Sequence, residues 1–323
     1  MMRALLLLAL ATLPPACSRS DSPKEEGTRK RLLFAGCPKM LNNPVFEVAH
    51  RGALDKAAEL GDVEILWQAP ERGDAIRQAD ILRAFIRRRV DGIFVAVNDA
   101  EILRGPIDEA VAAGIPVVGF DSDSPSSKRF THYGVEDVRA GREGGRLLLE
   151  KMGAKGKVGI LHGTQGAPNL EKRIRGFREH VKENAPDVVL LEPVFCDDNT
   201  QKAVEVVKAL IEANPDLTGL YFSGGWPLFA EPPGPFVHVP PGKLVVVAFD
   251  AIPPEPEYVR RGYVHALTAQ RLYEWGEESV RLLREWHAGK RDFPPFLDSG
   301  FDVVTAENVE AYGSRVRPLF ESR

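Results

Sequence analysis

From residue 31 onward, short apolar runs alternate with stretches whose apolar residues recur at helical spacing. Leu32-Leu33-Phe34-Ala35 predicts a buried strand, and Phe46, Ala49, Ala53, Ala57 and Leu60 predict the helix after it. Residues 63–67 read as the next strand and 76–86 as the next helix. Strands at 93–97 and 116–120 flank a helical stretch at 107–113 that Gly114 stops. The rhythm then restarts. Helices are predicted at 138–152, 170–181 and 203–211, strands at 158–161, 188–194, 220–222, 244–249 and 265–269, and a last long helix at 272–286.

The strand runs lack in–out alternation, so both of their faces must be covered, as in a parallel sheet sandwiched by helices. So many units exceed one comfortable sheet. The expected fold is α/β, with two doubly wound, Rossmann-like lobes. The first lobe is expected at 31–132 plus 271–296 and the second at 133–270 plus 297–323. A proline-rich stretch at 227–241 replaces an expected helix and reads as an irregular excursion on the second lobe.

The N-terminus follows other rules. Arg3 precedes an apolar run at 4–13, and Ala16-Cys17 follows, which is the layout of a secretory signal peptide. The run is too short to span a bilayer. Cys17 resembles the processing cysteine of bacterial lipoproteins, although Pro14 stands where leucine is usual. The polar stretch 18–30 then reads as a tether. An exported protein, in the periplasm or at the cell surface and joined to the membrane only by a lipid on Cys17, is expected.

Composition narrows the class. A content of 44% hydrophobic and 27% charged residues is that of a globular protein, and a net charge of -4 argues against nucleic acid as partner. The basic cluster Arg87-Arg88-Arg89 ends a predicted helix, where it offsets the dipole. Cys37 and Cys196 read as separate buried thiols, with pairing in an oxidising compartment as the alternative. The seven histidines show no ligand-like spacing, so neither a metal nor a cofactor is expected.

Polar residues collect after the strands. Lys39 and Asn43 follow the first, Asp121 and Asp123 the fourth, Asp198 the stretch at 188–194, Trp226 the stretch at 220–222, Asp250 the stretch at 244–249, and Gln270 the last. In doubly wound sheets, ligands bind outside the carboxyl ends of the strands. Carboxylates, amides and cations together suit hydroxyls that both donate and accept. The rings of Phe46 and Trp226 suit the C–H faces of a sugar. Any single Asp at a strand end is equally well a helix cap.

At Leu41-Asn42-Asn43-Pro44-Val45-Phe46 the sequence resembles the ribose-binding-protein family, the type I periplasmic sugar-binding proteins. The likeness continues through Val90-Asp91-Gly92-Ile93, residues 113–123, Gly134-Val135-Glu136-Asp137, residues 246–250 and Ala269-Gln270. The resemblance implies a cleft closed by a hinge of three crossovers, and delivery of a monosaccharide or polyol to an ABC permease by a monomer. By the same resemblance Asn43 and Phe46 touch the sugar from the first lobe and Asp121 is its main acceptor. Arg173 reaches in from the second lobe, joined by Asp250 and Gln270 near the hinge. Departures fall on the walls. Val45 replaces an aromatic, Ser122 an arginine and Gly224 an asparagine, a further aromatic is missing around Asp198, and Trp226 is gained. The shape implied is not that of a ribose site.

The rival readings are weaker. The glycines at 141–145 lie inside a predicted helix rather than after a strand, and no Gly-x-Ser-x-Gly or P-loop occurs, so an enzyme is not expected. A transcription regulator would need a helix-turn-helix before residue 31, where a signal peptide is predicted instead. A receptor for a sugar-like signalling molecule or chemotaxis ligand is the remaining alternative.

Overall fold

The computed structural model describes residues 31–316 and 319–320. The expected signal peptide, Cys17 and the tether lie outside the described residues. In chain order the elements are β1 (Leu32–Cys37), α1 (Pro44–Leu60), β2 (Val63–Trp67), α2 (Ala75–Arg88), β3 (Gly92–Val95), α3 (Ala100–Ala112), β4 (Val117–Phe120) and β5 (Thr131–Gly134). There follow α4 (Asp137–Met152), β6 (Gly156–His162), α5 (Pro168–Asn184), β7 (Val188–Leu190), β8 (Val194–Phe195), α6 (Thr200–Ala213), β9 (Gly219–Phe222), β10 (Val245–Phe249), α7 (Glu255–Arg260) and β11 (Ala266–Gln270). The last are α8 (Leu272–His287), β12 (Leu297–Asp298), β13 (Phe301–Thr305) and α9 (Val309–Val316).

Two sheets result. The first has the order β12-β5-β4-β3-β1-β2; the second has β13-β11-β10-β9-β6-β7, with β8 also on β6. Only β13 runs antiparallel to its neighbour. The chain passes between the sheets three times, after β5, after β11 and after β12. The two doubly wound lobes read from the periodicity are thus present. β5 runs to Gly134 and β12 pairs with it, so the first sheet passes the boundaries expected at 132 and 296 by two residues at each point.

Several elements escaped the periodicity because they are short or interrupted. The stretch 188–194 is two strands, β7 and β8, each laid on β6. Helix α3 begins seven residues earlier than its apolar pattern, because Asp99 caps it by accepting from the amides of Glu101 and Ile102, and Pro106 is carried inside on the buried face. The proline-rich stretch at 227–241 is indeed irregular. It buries Leu228 and Phe236 through two short 3-10 turns, Trp226–Leu228 and Gly234–Phe236. Cys37 and Cys196 are free and buried, and burial pushes both thiols up to about 12.

In each lobe one helix pair crosses in backbone contact. In the first, a Cβ on Gly52 of α1 would come within 2.0 Å of the Tyr273 carbonyl oxygen, and one on Gly276 of α8 within 1.8 Å of the Ala49 oxygen. In the second, a Cβ on Gly141 of α4 would come within 2.0 Å of the Arg173 carbonyl oxygen and one on Gly176 of α5 within 2.1 Å of that of Val138. The glycines at 141–145 are therefore a packing surface, which is why they lie within a helix. Gly141→Ala gains about 1 kcal/mol of intrinsic helix preference. Forcing α4 and α5 apart costs about 1–3 kcal/mol. We expect a net loss in urea denaturation, and a variant at least as stable as the parent would refute the close crossing.

Candidate ligand-binding cleft

The carboxyl ends of both sheets face each other across the crossovers, and a cavity of about 40 Å³ lies between them. That volume holds about one water molecule. Lys39, Asn43, Phe46 and Asp121 line it from the first lobe, with Trp275 of α8 beneath. Arg173, Asp198, Trp226 and Asp250 line it from the second, with Gln270 at the crossover. Nine of the ten residues singled out in the sequence meet here. Asp123 does not. Arg129 grips both of its oxygens and it lines a neighbouring cleft instead, so Asp121 and Asp123 do not form a carboxylate pair around one bond.

The geometry of the strand ends explains why aspartates serve. Asp121 has φ +56 and Asp250 φ +70, in the left-handed region, where Asp and Asn are the side-chain-bearing residues most often tolerated. That bend turns the carboxylate off the line of the strand. Other strand-end residues are caps: Asn199 accepts from the amide of Lys202 at 2.8 Å, and Asn43 accepts from that of Val45 at 3.1 Å while also lining the cavity.

Arg173 is the centre of the second wall. It is 2% exposed, and its Nε donates to Asp137 Oδ1 at 2.9 Å, while its two amino groups reach the Ser223 carbonyl at 3.1 Å and Gln270 Oε1 at 2.6 Å. Its guanidinium lies 4.3 Å from the centre of the Phe249 ring. Gln270 passes the contact on, donating to Asp250 Oδ1 at 2.8 Å. Burial opposes the charge of Arg173, but Asp137, Asp121 and Asp250 outweigh it and its pKa is raised. Burial raises Asp137 to about 7, with Arg173 pulling it back and Asp121 pushing it further. Burial likewise raises Asp250 and Asp198.

A second network joins the lobes. Lys39 Nζ sits 3.2 Å from Asp121 Oδ2 and donates to Asn169 Oδ1 at 2.9 Å; Asn169 Nδ2 donates back to Asp121 Oδ1 at 3.1 Å. All three are buried. Sequence reasoning missed Asn169. The available signal was its place four residues before Arg173, which puts both on one helix face. It also missed Asp137 and the fully buried Glu255. Glu255 Oε2 accepts from the Ile252 amide at 2.8 Å and so shapes the turn after Asp250. Burial, with Asp250 adding to it, holds that carboxyl well above the usual range.

The aromatic wall is shaped by two glycines. A Cβ on Gly224 or on Gly163 would come within 2.5 Å of the Trp226 ring. A side chain at 224 and the indole of Trp226 thus compete for one space, and glycine at 224 leaves it to the indole. Phe46 packs edge-on against Phe120 at 6.4 Å, and Trp275 lies 6.4 Å from it.

Residues 34–291 match the family described as periplasmic binding protein domain. The chain belongs to that family. This periplasmic binding protein is similar to an ABC transporter solute-binding protein of Burkholderia graminis C4D1M, whose crystal structure is in complex with D-arabinose. The two are 30% identical over 88% of this chain and 98% of that one, with a TM-score of 0.82. It is also 25% identical to the D-allose-binding periplasmic protein of Escherichia coli (strain K12), over 77% of this chain and 83% of the relative. The ribose import binding protein of Bacillus subtilis (strain 168) is 25% identical over 67% and 68%.

One buried group near the cleft gives this periplasmic binding protein a pH signature. His132 is 3% exposed, and burial lowers its pKa to about 4, with Asp123 opposing. The unfolded chain takes up the proton near pH 6.5, whereas the folded chain resists until about 4. Stability from the neutral imidazole is therefore full above pH 6.5 and is lost as pH falls toward 4, by about 3 kcal/mol. We expect His132→Asn to lose less stability than the parent between pH 7 and pH 4.5, measured by urea denaturation. Equal losses would show that the imidazole is not held neutral.

Proposed function

We propose that this chain is an exported solute-binding protein that captures a monosaccharide or related polyol between its lobes and delivers it to an ABC permease. The observation that carries this reading is the meeting of carboxylates, amides, one lysine, one arginine and four aromatic rings from both lobes around one buried cavity. Such a set can both donate to and accept from every hydroxyl of a sugar. The sugars named for the relatives above support the same class. We take the function to be binding without catalysis, by a monomer held at the membrane through Cys17.

Capture follows from the two networks. The cavity is smaller than any sugar, so the lobes must part about their three crossovers to admit one, and domain closure of this kind is the general behaviour of periplasmic binding proteins. A sugar entering on the first wall takes over the position that Asn169 occupies between Asp121 and Lys39. Reclosure brings Arg173, Asp250 and Gln270 over it. Wrong hydroxyl geometry then leaves a buried carboxylate unsatisfied, which costs about 1–3 kcal/mol or more.

A thermal-shift panel of pentoses, hexoses and polyols on protein lacking residues 1–30 identifies the sugar, which raises the melting temperature by mass action. Titration calorimetry with that sugar then checks the site. Asp250→Ala removes a charge-assisted hydrogen bond of about 1.5–3 kcal/mol and should weaken binding tenfold or more. Asp99→Ala, which touches only the α3 cap, should leave the affinity unchanged. Equal affinity in the parent and Asp250→Ala would remove Asp250 from the site.

A further inference from the structure

A second interlobe cleft, of about 540 Å³, adjoins the cavity, and the two share Asp121 and Asn169. The 3.1 Å hydrogen bond between these side chains stands at their junction. A ligand group that displaces it joins the two spaces into one. The outer cleft alone lies within the roughly 300–1,000 Å³ of ordinary small-molecule sites, whereas the inner cavity is far below it.

The chemistry of the outer cleft is specific. Four carboxylates line it, and each has a partner: Asp121 has Lys39, Asp123 has Arg129, Asp137 has Arg173, and Glu136 accepts from the Arg139 amide. Lys172 does not. It is half-buried at the cleft and makes no hydrogen bond or ion pair among the described residues, acting on Asp137 and His132 only through its field. Opposite, on the segment before β12, Phe296 is 38% exposed, the one exposed phenylalanine, tyrosine or tryptophan among the described residues, and it stacks on His132 at 5.8 Å and 14°. An unpaired donor beside an exposed ring matches a hydroxylated ring, which accepts from the ammonium and lays its C–H face on the phenyl. An anion would meet Glu136, the one of the four whose partner is an amide rather than a cation, and a purely apolar group would strand the ammonium.

We propose that the ligand has two parts, a glycoside or disaccharide. One sugar ring is held in the inner cavity by Asp250 and Arg173, and the second hydroxylated group lies in the outer cleft over Phe296, within reach of Lys172. This rests on the sugar reading above and names a larger substrate class for the same site.

The test is calorimetric titration of free pentoses and hexoses against their methyl and phenyl glycosides and the matching disaccharides, using the parent, Lys172→Ala, Phe296→Ala and Asp250→Ala. Both outer positions are partly exposed, and melting temperatures confirm that the variants fold; Phe296→Leu serves if Phe296→Ala does not. A two-part ligand should bind at least tenfold more tightly than its free monosaccharide. Each outer substitution should weaken it about tenfold while leaving monosaccharide affinity within twofold. Monosaccharides binding as tightly as every two-part ligand, or outer substitutions weakening neither class or both alike, overturn the proposal and leave the sugar reading intact. Failure of every sugar to bind overturns both.

Discussion

The interlobe region depends on satisfying one buried cation. A guanidinium withdrawn from water costs several kcal/mol unless it is paired and fully hydrogen-bonded. Arg173 finds its partners at three separate points of the chain. Asp137 opens α4 directly after the first crossover, Gln270 closes β11 directly before the second, and the Ser223 carbonyl directly follows β9. The two crossover segments are thus pinned to the middle of the second sheet by one side chain. Replacing such a cluster with packed hydrocarbon is often neutral or stabilising. Its value here is orientation, because the same bonds aim Gln270 and Asp250 at the cavity.

That cation is delivered by a helix whose position is itself dictated by absent side chains. Because Gly141 and Gly176 let α4 and α5 touch at the backbone, Arg173 emerges close enough to reach Asp137 on the facing helix. The first lobe repeats the device with Gly52 and Gly276, and the helix so placed sets Trp275 beneath Phe46. Each lobe therefore locates its cavity-lining residues through a glycine crossing rather than through the sheet alone.

This division explains how much was legible in the sequence. The strands of the sheet interiors, such as 93–97 and 244–249, announced themselves as apolar runs because they are covered on both faces. β5 did not, since Thr131, His132 and Gly134 are buried by specific partners rather than by hydrophobicity: Thr131 donates to the Pro294 carbonyl and His132 stacks on Phe296. In the site, residues at strand ends were visible from position alone. Asn169 sits at a helix start, and so does Glu255, among three prolines, where no periodic pattern reaches. Asp123 looked equivalent to Asp121 because two residues along an extended chain share a face. The left-handed turn at Asp121 breaks that equivalence and sends Asp123 to Arg129.

The hydrogen bonds that close the lobes are of the same kind as those a sugar would make. Asn169 offers Asp121 an amide donor and offers Lys39 a carbonyl acceptor, and a pair of neighbouring hydroxyls can do both. Exchange of one set for the other changes the number of satisfied groups little, so the net gain from these contacts is only a fraction of their gross strength. What distinguishes ligands is then fit. A hydroxyl out of place leaves Asp121 or Asp250 buried and under-satisfied in a wall that cannot relax, because left-handed backbone and the Arg173 network hold both carboxylates in position. Selectivity in such a cleft comes from rigidity of the acceptors more than from their number.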